Sequence, residues 1–184
     1  MATYFSNHFG TGTALTLAGT EPATLARDFK IGAGVGGARE RYKRASMIIG
    51  TAAQIGDVLR MVKFKSGDRV KEIMLSSSGG SAGIADCGIY KSGRSHDGVV
   101  LDADLFASAQ ALTGTIARVD IFKESTTLKD IDRGKTLWEL VTIGAAFTYT
   151  ADPMEDWDLC LTMTAAMTTT LCTINLEVSY TSGD

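Results

Sequence analysis

Apolar and polar residues alternate most cleanly near the end of the chain. Over 172–180, Cys172, Ile174, Leu176, Val178 and Tyr180 alternate with Thr173, Asn175, Glu177 and Ser179. Over 157–163, Trp157, Leu159, Leu161 and Met163 alternate with Asp158, Cys160 and Thr162. A period of two places successive side chains on opposite faces of a strand. Both runs therefore predict strands with one face in a core, and their succession predicts an antiparallel pair joined through 165–169.

The pattern is strand-like from Ala45 onward. A short apolar run, Met47-Ile-Ile49, is closed by Gly50. Strands over 58–65 and 69–75 flank Ser66-Gly67-Asp68, a connection of the length and composition of a hairpin turn. Residues 76–81 form a polar turn, and 84–90 and 98–101 read as strands around a loop at 91–97. Over 115–123, Ala117, Val119 and Ile121 share one face, with Arg118 and Asp120 on the other. Two short helices interrupt the strands. Asp102 or Asp104 can cap 105–112, where Leu105, Ala109 and Leu112 share a face. Thr136-Leu-Trp-Glu139 has the spacing of a capping box and opens a helix over 137–143.

Residues 1–44 hold no sustained period of either kind. They contain His8, Pro22, the run Gly32-Ala-Gly-Val-Gly-Gly37 and the basic stretch Arg39-Glu-Arg-Tyr-Lys-Arg44. So long a segment without a period is uncommon inside a compact domain. It predicts an extended N-terminal arm (1–44) ahead of one mainly β domain (45–184). About eight strands with two helical crossings describe an antiparallel β-sandwich or jelly roll. A parallel α/β sheet would need repeated long helices between strands.

Composition agrees with short strands and glycine turns: 20 glycines, 2 prolines and 45% hydrophobic residues in 184. No apolar run approaches the roughly 20 residues that span a bilayer. The first residues lack the basic and apolar regions of a secretory signal, which predicts a protein kept in the cytosol until assembly. Cys87, Cys160 and Cys172 are odd in number and lack C-x-x-C spacing, so they read as small buried hydrophobes rather than as a disulfide framework or zinc site. The net charge of −3 conceals a division: residues 1–75 hold 11 Lys/Arg against 6 Asp/Glu, and the remainder 7 against 15. Such polarity can steer association between copies or with a charged partner, and equally describes two solvated faces.

Candidate chemistry fails on mechanism. Gly32–Gly37 spells G-x-G-x-x-G with Asp57 twenty residues beyond. A dinucleotide site also needs a buried strand before the glycines and a packable helix after them, and the flanking segments are charged. Gly134-Lys135-Thr136 resembles the end of a P-loop, but Lys129 stands where the motif needs glycine. His8 and His96 lie far apart and form no metal-ligand pair. Asp152, Glu155, Asp156 and Asp158 cluster around Pro153 without EF-hand spacing, which favours a solvated turn. Arg39, Arg41, Lys43 and Arg44 with Tyr42 form a basic patch, but the acidic whole argues against direct nucleic-acid binding. An acidic protein surface, such as 97–104 or 152–158 of a neighbouring copy, suits them at least as well. No catalytic residue, cofactor site or metal site is expected, and the chain reads as a non-enzymatic contact domain.

The order of these features resembles the small jelly-roll virion proteins of tailed bacteriophages, in particular capsid decoration (cement) proteins. The likeness is carried by the glycine-rich N-terminal segment, Gly56-Asp-Val-Leu-Arg60 through Lys71-Glu-Ile-Met-Leu75, and Ala85-Asp-Cys-Gly-Ile-Tyr90. Val99-Val-Leu-Asp-Ala-Asp-Leu-Phe106, Thr136-Leu-Trp-Glu-Leu140 and the closing strands complete it. The resemblance implies a structural protein on the outside of a virion, assembled in the host cytoplasm. Its partner would be the major capsid protein, at junctions between shell subunits, and it would form a homo-oligomer, trimer or dimer. The arm residues Tyr4, Phe5, Phe9, Arg39, Arg41, Tyr42, Lys43 and Arg44 are the expected partner-binding set, because ordering an unpatterned arm needs an extended contact surface. Alternatives are another virion component (a tail or head–tail joining protein), or a ligand- or carbohydrate-binding sandwich. The last needs exposed aromatics, whereas Trp138 and Trp157 are placed for cores.

Overall fold

A computed structural model describes residues 3–5, 40–49, 53–78, 83–93, 98–112, 114–125, 127–144, 147–167 and 172–182. Its strands are β1 (Thr3–Phe5), β2 (Glu40–Ile49), β3 (Val58–Lys65), β4 (Arg69–Ser78), β5 (Ile84–Lys91), β6 (Val100–Ala111), β7 (Ile116–Asp120), β8 (Asp156–Ala165) and β9 (Cys172–Thr181). One α-helix, α1 (Leu137–Ile143), and short 3-10 turns at Ile121–Glu124 and Asp130–Asp132 lie between β7 and β8.

The strands form two sheets, ordered β1-β3-β8-β5-β6 and β2-β9-β4-β7. From β2 to β9 every pairing is antiparallel, and most consecutive strands lie in opposite sheets. This is the eight-stranded double-sheet jelly roll, so the expected fold class holds. β1 adds to the outer edge of β3 in parallel, with Thr3 opposite Val58 and Phe5 opposite Arg60.

The pattern located the strands better than their partners. β9 buries Cys172, Ile174, Leu176, Val178 and Tyr180 as expected. It does not pair with β8, however: it sits between β2 and β4 while β8 sits between β3 and β5. The expected hairpin across Ser66-Gly67-Asp68 is likewise a passage between sheets. The turn itself is tight, with Asp68 Oδ2 accepting from Lys65 N at 2.9 Å and Lys65 O accepting from Asp68 N at 3.0 Å. Its remaining groups are taken by distant chain: Ser66 N donates to Glu155 O (2.9 Å), and Trp138 N donates to Ser66 O (3.0 Å). Period-two burial is satisfied equally by pairing beside a strand or facing it across the core, so alternation alone does not decide between them.

The expected helix over 105–112 is strand as far as Ala111, the second half of β6. Leu105, Phe106 and Ala107 are buried in succession, which neither a regular helix face nor a regular strand gives. The register explains it. Cys87 pairs with Ala107 but Ile89 pairs with Asp102, so β6 carries extra residues that bulge against β5. Gly88 allows this approach, since a Cβ there would run into the backbone of Asp102 and Ala103. Long-range pairing has overridden the helical preference of an alanine-rich segment. The second expected helix is present. Thr136 and Glu139 form the capping box, with Glu139 Oε2 accepting from Thr136 N (2.8 Å) and Thr136 Oγ1 (2.6 Å). Residues 40–44, expected in the arm, are the first half of β2.

Between the sheets lies one core containing Phe64, Phe106, Phe122 and Trp157. Phe64 meets Tyr180 edge-on at 5.1 Å, and Phe106 meets Phe122 at 5.4 Å. Each buried side chain of this size contributes about 1.5–3 kcal/mol relative to exposure. A smaller apolar cluster, Val58, Tyr90 and Cys160 with Ala103, lies apart from this core. Strand β8, central in its sheet, therefore buries both faces, Asp158 and Cys160 included.

Candidate functional site

The expected contact residues divide among three places. Tyr4 and Phe5 belong to β1; Phe9 and Arg39, with Gly32–Gly37, His8 and His96, lie outside the described residues. Arg41, Tyr42, Lys43 and Arg44 fall on β2, one of the two outer strands of its sheet. Strand geometry then separates these four. Lys43 turns inward at the mouth of the sandwich. Its Nζ lies 4.6 Å from the Phe64 ring centroid and 4.8 Å from that of Tyr180, and donates to Lys63 O at 2.5 Å. Tyr42 and Arg44 take the outer face, where Arg44 Nε is 3.6 Å from Glu177 Oε1 and Arg118 Nε 3.0 Å from Glu177 Oε2. Partial burial, then the Glu177 carboxylate, push the Tyr42 phenol up to about 12. Arg41 is exposed. The basic stretch is thus a ladder edge with two chemically different faces, not one cationic patch.

The acidic cluster is knitted into the fold. Asp152 accepts from Ser66 Oγ and from Met154 N. Lys91 Nζ is 2.9 Å from Glu155 Oε2, and Trp157 Nε1 donates to the same oxygen at 3.2 Å. Lys63 Nζ is 2.8 Å from Asp156 Oδ2. These carboxylates tie the segment before β8 to the ends of β3 and β5, using cations of the same chain. Among the described residues, no group of three His, Cys, Asp or Glu side chains is placed to hold a metal ion.

Asp158 has the most consequential contact. It is fully buried and forms an ion pair with Arg60, which is 3% exposed. Arg60 Nη1 also donates to Lys91 O (3.2 Å), Arg60 Nη2 to Gly98 O (3.3 Å), and Gly93 N donates to Asp158 Oδ2 (3.4 Å). Burial pushes the Asp158 carboxyl up, and Arg60 opposes that. The pair pins both ends of the β5–β6 connection, Lys91–Gly93 and Gly98, to β3 and β8. The strand pattern placed Asp158 toward water and missed the pair. Its signal was a lone charge inside each of two apolar runs, Val58–Val62 and Trp157–Leu161, where an unpaired charge is too costly to bury.

The remaining motifs resolve as local structure. Asp57 Oδ2 accepts from Gln54 N at 2.9 Å, closing the turn before β3. Lys135 pairs with Asp132 at 2.8 Å beside Gly134, whose φ is +84°. The three cysteines are buried and free, and burial raises each thiol above its ordinary value.

No family model matches the chain, and no curated protein matches its sequence. Two solved chains are similar in structure. One belongs to the cyanophage Pam1 capsid asymmetric unit, with TM-score 0.46 and 13% identity over 88% of this chain and 99% of that one. The other belongs to the capsid of Ralstonia phage GP4, with TM-score 0.53 and 12% identity over 84% of this chain and 92% of that one. The jelly roll built here from two interleaved sheets is therefore a fold that also occurs in a chain of a phage capsid.

Proposed function

We propose that this chain is a structural protein of a bacteriophage virion that decorates the outer capsid surface and staples junctions between major capsid subunits. The observation that carries the proposal is the shared fold with the GP4 capsid chain along nearly its whole length. The character of the surface supports it. The carboxylates around Pro153 are consumed in holding loops, and the conspicuous titratable pair, Arg60–Asp158, is buried. The long stretch ahead of β2 is the docking arm in this reading, with Tyr4, Phe5, Phe9 and Arg39 on it and Arg41 to Arg44 where it enters the sheet. The chain acts as a homo-oligomer, without cofactor or catalytic step.

Co-sedimentation tests this directly. The purified full-length chain is mixed with expanded shells, with unexpanded procapsids and with isolated tails of the phage that encodes it. The expected result is saturable binding to expanded shells. Binding to tails alone would replace decoration with a tail role, and binding to none of the three would overturn the virion reading. A chain lacking residues 2–30 is expected to stay folded and lose shell binding. Loss of its folding would show that the arm belongs to the core.

A further inference from the structure

Each sheet has two outer strands, and their edges are not protected alike. β1, the outer strand laid over β3, has three residues. β6 is broken by register shifts at three places along β5. β7 has five residues and a register shift against β4. Short length, bulging and covering are the usual defences of a sheet edge against further pairing. Among the described residues, β2 has none of them. It runs ten residues, in unbroken register with β9 from Glu40–Thr181 to Ile49–Cys172, and no described residue pairs with its other side.

Its two halves also differ. The first carries Glu40, Arg41, Lys43 and Arg44, with Lys43 turned inward, and charge of this kind deters pairing. The second, Ala45-Ser-Met-Ile-Ile49, holds no charge, proline or glycine. Alternate backbone N–H and C=O groups there point away from β9, as strand geometry requires.

We propose that the Ala45–Ile49 edge of β2 binds the same edge of a second copy, antiparallel about a two-fold axis beside Met47, joining two four-stranded sheets into one. The charge distribution selects this occupant and arrangement. With Met47 against Met47, Ala45 faces Ile49 and Ser46 faces Ile48 of the second copy, and the inward and outward faces stay continuous. The cations of each strand then lie beyond the uncharged half of the other. A parallel pairing, or one centred nearer Glu40, sets Arg41, Lys43 and Arg44 of one copy against those of the other, which like-charge repulsion disfavours. The contact is isologous, so it closes at two copies. It does not depend on the capsid reading.

Sedimentation equilibrium across a micromolar range, with circular dichroism to monitor folding, tests the proposal. The wild-type chain is expected to approach the mass of two chains as concentration rises. The variant S46K/I48K sets lysine opposite lysine on the half-buried outer face, and is expected to remain folded with the mass of one chain. S46E/I48K sets glutamate opposite lysine and is expected to restore the dimer, with a salt dependence the wild type lacks. If the lysine pair fails to fold, S46E/I48E imposes the same repulsion and is read in its place. A wild type that stays monomeric, a closed trimer, or a dimer unaffected by S46K/I48K each overturns the proposal.

Discussion

Replacing Arg60 by methionine removes the cation from a buried carboxylate while roughly preserving volume. Asp158 then has two options at pH 7: to stay ionised in a site closed to water, or to take up a proton. The second sets a ceiling on the electrostatic penalty. An unfolded aspartate titrates near about 3.9, so holding it neutral at pH 7 costs about 3 units, or about 4 kcal/mol. That agrees with the about 3–5 kcal/mol typical of breaking a buried ion pair by removing one partner. It is a large part of the about 5–15 kcal/mol of a typical domain. The ceiling depends on pH. The unfolded aspartate binds fewer protons than the folded neutral one above its ordinary range, so lowering the pH from 7 to 5 should return about 2.7 kcal/mol. Asp158→Asn behaves differently, because the guanidinium left behind cannot neutralise itself. Its cost should be flat between pH 5 and 7. Changing both, Arg60→Met with Asp158→Leu, should cost less than either alone, since a matched apolar pair leaves no buried charge. Urea unfolding followed by tryptophan fluorescence reads all three variants, with Trp157 adjacent to the site and fully buried. An Arg60→Met penalty below about 1 kcal/mol at pH 7, or one unchanged at pH 5, would falsify the claim that this pair holds an ionised Asp158.

Two further substitutions test other parts of the fold. Asp102 is held up to about 6, first by burial and then by Asp104. A folded value above the unfolded one means that this group's contribution is fully present below 3.8 and is lost as the pH rises through about 6. Asp102→Asn should therefore stabilise the protein at pH 7, by about 1 kcal/mol after discounting the shift for the solvent screening of a half-exposed carboxyl. It should change little at pH 4, and urea midpoints at the two pH values decide. Gly88→Ala places a methyl against the backbone of Asp102 and Ala103, where no flexible side chain can yield. A loss of at least about 3 kcal/mol, or failure to fold, is expected; a thermal midpoint within a degree or two of wild type would refute the close approach of β6 at Gly88.

Local chemistry determined much of this architecture. The inward set Cys172, Ile174, Leu176, Val178 and Tyr180 depends on a two-residue period, the Thr136–Glu139 capping box on contacts a few residues apart, and the strand at Val58–Lys65 on a short apolar run closed by turn residues. The sequence alone was therefore enough to place them. The β-sandwich class followed from their number and from the absence of long helices between them. Three other features were decided only when distant segments met. β8 and β9 went to different sheets, because the same alternation suits a strand beside its neighbour or across from it. Residues 105–111 became strand, because β5 accepted the bulge of β6 at Gly88. The basic stretch at Arg41–Arg44, one patch when written as a string, was divided by the pleat into an inward lysine held over two rings and an outward arginine held by Glu177. Asp158 shows the limit most sharply. Its local pattern pointed it toward water, and only the tertiary structure brought Arg60 against it from 98 residues away. Partners at that separation leave no periodic trace in the chain, because loop closure and packing select them, not the spacing of neighbours.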